Sequence, residues 1–162
     1  MKSLGAKTLA LAAALLLVGG GAIGWALAGL EGAPTAERES LAATNKPEGA
    51  KGKTLGLSRV TVPAGAELAL HHHEGTQIAR IDKGTLTYTV VEGSVEVRKG
   101  AADEDPKLVR KIKAGQTGEI KAGQWIVEQP SDHHRAANRT DRKIVIYLST
   151  LLERGAPPST PG

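Results

Sequence analysis

From Leu55 to Leu152 the sequence is a succession of short runs rich in Val, Ile, Leu, Thr and Tyr, separated by turn signals. The runs are Leu55–Val62, Glu67–His73, Gln77–Ile81, Thr85–Glu92, Ser94–Arg98, Leu108–Ile112, Thr117–Ile120, Gln124–Glu128, His133–Asn138 and Lys143–Leu152. Between them sit Pro63-Ala64-Gly65, Asp82-Lys83-Gly84, Glu92-Gly93, Lys113-Ala114-Gly115 and Lys121-Ala122-Gly123. Many short strands at even spacing, with glycine-bearing turns, predict an all-β sandwich or barrel. The run from Thr85 is the most β-prone, with Thr and Tyr alternating against Leu and Val. Glu92-Gly93 then makes a tight hairpin turn into Ser94. With two Trp, two Tyr and no Phe, the core must be built from Val, Ile, Leu and Ala. Such a core suits a β-barrel better than a large aromatic-lined cleft.

The five histidines fall in two clusters, His71 to His73 and His133 to His134. If Leu68 to His73 is a strand, alternation turns His71 and His73 to one face and His72 to the other. Gln77 opens the return strand, within reach of the same pair. Two imidazoles two residues apart, a ligand across a hairpin and a fourth from elsewhere are the makings of a metal site on a β scaffold. A single strand histidine is usually a surface residue; five in two clusters are harder to explain that way.

The spacing Gly65-x5-His71-x-His73-x3-Gln77-x6-Gly84 resembles the first motif of the cupin family, with Gln77 where that family usually has Glu. Pro130, His134 and Asn138 resemble the second motif, with a Pro-to-His interval one residue short and Asp132 where Gly is common. The resemblance spans Leu55 to Leu152. It implies a single double-stranded β-helix, or jelly-roll, barrel that binds a divalent transition metal (Fe, Mn, Zn, Ni or Cu) through His71, His73, Gln77 and His134. It further implies a metal-dependent dioxygenase, isomerase or lyase acting on a small anionic metabolite. The alternative is a non-catalytic small-molecule or metal-binding cupin, a sensor or carrier. A homodimer formed by exchange of edge strands is also implied. Glutamine leaves the ion's charge uncompensated, which favours an anionic ligand in its open positions.

Alternatives stand beside that set. His133 can exchange roles with His134, and Glu74 can substitute as a carboxylate ligand from the turn. Tyr88 is a candidate hydrogen-bond donor in the barrel, and Trp125 a plug for the core or a barrel end. Arg80 and Arg135 are candidates for binding a carboxylate, although a solvated arginine is the ordinary case.

Other chemistries are excluded. The chain has no cysteine, so disulfides, thiolate zinc sites and cysteine nucleophiles are absent. No phosphate-cradling glycine loop or dinucleotide fingerprint occurs. No Lys/Arg run is interleaved with aromatics, so no nucleic-acid partner is expected.

Residues 1–28 have the pattern of an export signal: Lys2 and Lys7, an Ala/Leu-rich stretch from Thr8 to Val18, and Ala26-Leu27-Ala28 before Gly29. The 23 residues between Lys7 and Glu31 carry no charge, and as a helix they reach about 35 Å, so an uncleaved membrane anchor is the alternative. Both place the remainder outside the cytoplasm: periplasmic, secreted or anchored facing outward. Residues 29–54, rich in Ala, Gly, Pro, Lys and Glu, are expected to be a flexible linker with a short helix at Ala36–Ala43. Residues 55–152 are the expected barrel, and 153–162 a Pro-rich tail that cannot continue a strand and either lies over the barrel surface or is disordered.

Overall fold

The computed structural model describes residues 34–162; the export signal or anchor expected over 1–28 lies outside them. Among the described residues are twelve strands, labelled in chain order. They are β1 (Glu37–Thr44), β2 (Lys53–Val62), β3 (Glu67–His72), β4 (Gly75–Lys83), β5 (Thr85–Glu92) and β6 (Ser94–Lys99). The rest are β7 (Lys107–Lys113), β8 (Thr117–Lys121), β9 (Gln124–Glu128), β10 (His133–Ala137), β11 (Ile144–Glu153) and β12 (Thr160–Pro161). They form a seven-stranded sheet, ordered β1-β2-β11-β4-β9-β6-β7, and a five-stranded sheet, ordered β12-β3-β10-β5-β8. Every pairing is antiparallel. This is the expected jelly-roll.

Alternation does the rest. On β5, Leu86, Tyr88 and Val90 turn inward; on β4, Gln77, Ala79 and Ile81 do so; on β11, Ile144, Ile146 and Leu148. These side chains, Gln77 apart, form with Val62, Val95, Val97, Ile120 and Ile126 one largely aliphatic core between the sheets. The only aromatic side chain in it is Tyr88. Its hydroxyl needs a partner there, and that partner lies in the site described below.

Two expectations at the ends are corrected. Within the expected linker, Glu37–Thr44 is a strand rather than a loop or short helix, paired with β2 from Glu37↔Thr61 to Thr44↔Leu55. Propensity favoured no strand there, but β2 offers a row of unpaired backbone groups that only another strand satisfies. Ala36, just ahead of β1, is buried in the core. At the other end, Thr160 pairs with His72 and Pro161 with His71, and the Gly162 amide donates to the Leu70 carbonyl. The tail is thus a short edge strand over β3, a position where proline is tolerated. Trp125 is corrected too: it stands half-exposed on the outer face, its indole N–H donating to the Gly100 carbonyl at 2.9 Å, and plugs nothing.

Candidate metal centre

A bulge on β3 begins the site. Opposite β10, His71 pairs with His134 and Leu68 with Ala136, so three steps on β3 face two on β10. That extra residue lets both Leu68 and His71 face the interior, where strict alternation would put them on opposite sides. His73 follows immediately after β3 and also turns inward. His71, His73 and His134 are all buried, and their ligating nitrogens lie within 4.8 Å of one another.

The remaining histidines point elsewhere. His72 and His133 meet on the outer side, ring centroids 4.8 Å apart, with Glu74 near His72 at 3.3 Å and Glu92 near His133 at 3.1 Å. Strand parity therefore separates an inner triad from an outer pair. Glu74 is exposed and belongs with the outer pair.

Each inner imidazole has its Nδ1 against a backbone carbonyl: His71 on Ala69 at 2.7 Å, His73 on Pro158 at 2.8 Å and His134 on Asp132 at 3.3 Å. A carbonyl only accepts, so Nδ1 carries the proton and Nε2 the lone pair. That is the tautomer a metal-binding histidine adopts when a neighbour orients its ring. Burial and the nearby His134 lower the His71 pKa from 6.5 to about 4, so it is neutral at ordinary pH. Burial lowers that of His73 as well, against the opposing pull of Glu128.

The group that sequence reasoning missed is Glu128. It sits on β9 directly opposite Gln77 of β4 and is buried. Its Oε1 lies 3.2 Å from His134 Nε2, and its Oε2 3.6 Å from His73 Nε2. Tyr88 donates to Oε1 at 2.7 Å, and the Gln77 amide nitrogen donates to Oε2. Burial alone would raise the carboxyl's pKa, but any proton on His134 or His73 and the two donors outweigh it and hold it below the usual carboxylate range. Burial and the same carboxylate push the Tyr88 phenol far up, so it stays protonated. A signal existed: on Gln124–Glu128 the parity that buries Ile126 also buries Glu128. A carboxylate on the apolar side of a strand demands a partner.

Gln77 lies where expected, but its amide nitrogen, not its oxygen, faces the cluster, 2.9 Å from His73 Nε2. The carboxylate only accepts, so the amide must turn its nitrogen to Glu128. Gln77 Oε1 is left buried without a partner.

A divalent cation fits these residues. Imidazole nitrogens and carboxylate oxygens that carry lone pairs repel one another at 3.2 and 3.6 Å unless positive charge lies between them. Donor atoms each bonded at about 2.1 Å to one ion stand roughly 3.0–3.4 Å apart; the Glu128–His134 distance of 3.2 Å has that spacing, while the 3.6 Å to His73 and the imidazole nitrogens, spread over as much as 4.8 Å, must draw in to meet one ion. Three neutral imidazoles and a carboxylate suit a transition metal.

The cluster opens into a cavity of about 50 Å³ walled by Val60, Leu68, Leu86, Ile146 and Leu148. Arg80 is exposed beside Asp82 at 3.9 Å, and Arg135 is exposed on the outer side of β10; neither reaches this cavity. Asn138, from the second motif, holds backbone rather than ligand. Its amide donates to the carbonyls of Val62, Pro63 and Arg142 at 2.9, 3.0 and 2.7 Å.

No protein-family model matches the chain, and no curated protein matches it. Solved structures do. The polyketide cyclase RemF from Streptomyces resistomycificus is 16% identical, with 78% of this chain and 70% of that one covered at a TM-score of 0.51. A cupin 2 domain-containing protein from Halorhodospira halophila is 11% identical, with 83% and 74% covered at 0.51. For the cupin domain of Schizosaccharomyces pombe Cnp3 the values are 15% identity, 74% and 66% coverage, and 0.50. Identities this low establish architecture alone. The double-stranded β-helix of this chain has the fold of those cupin domains.

Proposed function

We propose that this chain is an exported cupin that holds a divalent transition metal on His71, His73, His134 and Glu128 and takes a small molecule against it. The observation that carries the reading is the set of three buried imidazoles, each with Nδ1 on a carbonyl, two of them (His134 and His73) beside one buried carboxylate. Bound there, the ion supplies a Lewis acid with positions open to a ligand. The chain does the rest. Carbonyls fix the tautomers, Tyr88 and Gln77 hold Glu128, and the aliphatic walls keep bulk water out. Gln77 acts through Glu128 as its positioning residue. The export part of the reading rests on Lys2, Lys7, the apolar stretch after them and Ala26-Leu27-Ala28.

Turnover by a dioxygenase, isomerase or lyase is the first form of this reading. A carrier or sensor is the second, and one observation favours it: the buried phenol and carboxylate are bonded to each other, which ties up the obvious acid–base pair. The test is metal analysis of untagged protein, followed by a turnover screen with small metabolites. One ion per chain with turnover supports the enzyme. One ion with ligand-dependent melting shifts and no turnover supports the carrier. No stoichiometric metal rejects both.

A further inference from the structure

The edge strand that composition concealed brings a cation to the cavity. Ala36 and the half-buried Arg38 line the same cavity as His71, His73, His134 and Glu128, as does the exposed Glu37, while Glu39 turns out. Arg38 Nε donates to Ser58 Oγ at 3.2 Å, and Ser58 is itself buried on β2. Hydroxyl contact orients a guanidinium without neutralising it. Among the described residues Arg38 makes no ion pair; Arg110, Arg135, Arg142 and Arg154 make none either, but they are exposed and outside this cavity, whereas Arg38 is half-buried in it. Its positive charge reaches His73. A half-buried arginine keeps its charge, so an unpaired one on a largely aliphatic cavity is available to an anion from outside the chain.

We infer that Arg38 anchors the ligand of this cavity, and that the ligand is a short aliphatic monocarboxylate. This rests on the metal reading above, since the ion's charge is part of what makes the cavity favour an anion. Three features select the class. One guanidinium matches one carboxylate in a planar two-pronged bond. With a divalent ion bound, three positive charges (two on the ion, one on Arg38) face two negative ones on Glu128 and Glu37, so an anion is favoured over a neutral molecule. The walls are aliphatic, and the cavity measures about 50 Å³. A single buried water needs roughly 10–15 Å³, so the space takes about four groups of that size. That is a carboxylate with a short alkyl stem, too little for a sugar or an aromatic ring.

The test uses metal-loaded chain and calorimetric titration with acetate, propionate, butyrate, propionamide and sulfate, on wild type, Arg38→Gln and Arg38→Lys. At least one of the three acids should bind wild type, with propionamide and sulfate ten-fold weaker or more. Arg38→Gln should abolish that preference for acid over amide while retaining one metal per chain and a cooperative melt. Arg38→Lys should restore part of it. Absence of binding by all three acids overturns the inference, as does equal binding of propionate and propionamide. An unchanged acid-to-amide ratio in Arg38→Gln, even with a lowered melting temperature, shows Arg38 to be structural only and also overturns it. Sulfate binding as tightly as propionate rejects the carboxylate class. The metal reading fails separately: propionate binding to wild type and not to Arg38→Gln, with no metal on either, would retain the anchor and remove the ion.

Discussion

Exchanging the carboxylate and the amide that face each other across β4 and β9 tests the centre most directly. Glu128→Gln keeps shape and removes one negative charge from beside His134 and His73, where its oxygens lie 3.2 and 3.6 Å from the two Nε2 atoms. At about 4 Å and an effective dielectric constant near 20, one negative charge attracts a divalent ion by about 8 kcal/mol. Keeping a carboxylate buried costs several kcal/mol of that, and the amide retains an oxygen donor. The net loss is about 3 kcal/mol, or roughly 100-fold in Kd. Chelator competition with zinc or manganese reads it directly. Gln77→Glu alone places two carboxylates on neighbouring strands, and they must share a proton unless metal is bound. The double exchange, Gln77→Glu with Glu128→Gln, restores one carboxylate and one amide with positions reversed. It should recover at least ten-fold of the lost affinity. Wild-type affinity in Glu128→Gln would refute the assignment of Glu128 to the ion. Failure of the double exchange to recover any affinity would show that the charge must come from β9.

Three further outcomes are expected. His71→Ala, His73→Ala and His134→Ala should each lose most bound metal by elemental analysis, while His72→Ala and His133→Ala retain it; equal losses across all five would mean a surface cluster. In metal-free protein, His71 is held near a pKa of about 4 against 6.5 when unfolded. The unfolded chain therefore takes a proton that the folded chain refuses, so stability is full above pH 6.5 and falls toward pH 4, by up to about 3 kcal/mol. Urea melts in chelator should show that slope and His71→Asn should flatten it; identical slopes would refute it. Asn138→Ala removes a donor from the carbonyls of Val62, Pro63 and Arg142 and the acceptor of the Thr140 amide; Pro63 keeps the Ala66 amide and Arg142 the Thr140 hydroxyl, so the change should cost about 1–3 kcal/mol in the same melts without changing the ligand set.

Much of this was legible in the chain. Period-two alternation and the glycine turns place ten strands to within two residues, because inward parity and turn chemistry are local properties. Spacing separates His71 and His73 from His72 for the same reason. What was hidden depends on partners far away in sequence. Glu37–Thr44 is a polar, alanine-rich segment whose strand form comes from the edge of β2. Thr160–Pro161 lies over β3 only because that edge is open. Glu128 joins Gln77 through a pairing across 51 residues, and the bulge that turns Leu68 inward arises between β3 and β10. The choice between His133 and His134 likewise needed the second strand.

The acceptors that set the three tautomers are main-chain carbonyls of Ala69, Asp132 and Pro158. A side-chain acceptor can vanish in a single codon change; a carbonyl belongs to whatever residue stands there. Substitutions at 69, 132 and 158 therefore leave the proton positions of the triad intact so long as the backbone path holds. The charge at the centre has no such protection, because it resides on one side chain held by two others. Mutational drift would alter the electrostatics of this centre long before the orientation of its imidazoles, and variants selected for a new metal or ligand should accumulate at 77, 88 and 128.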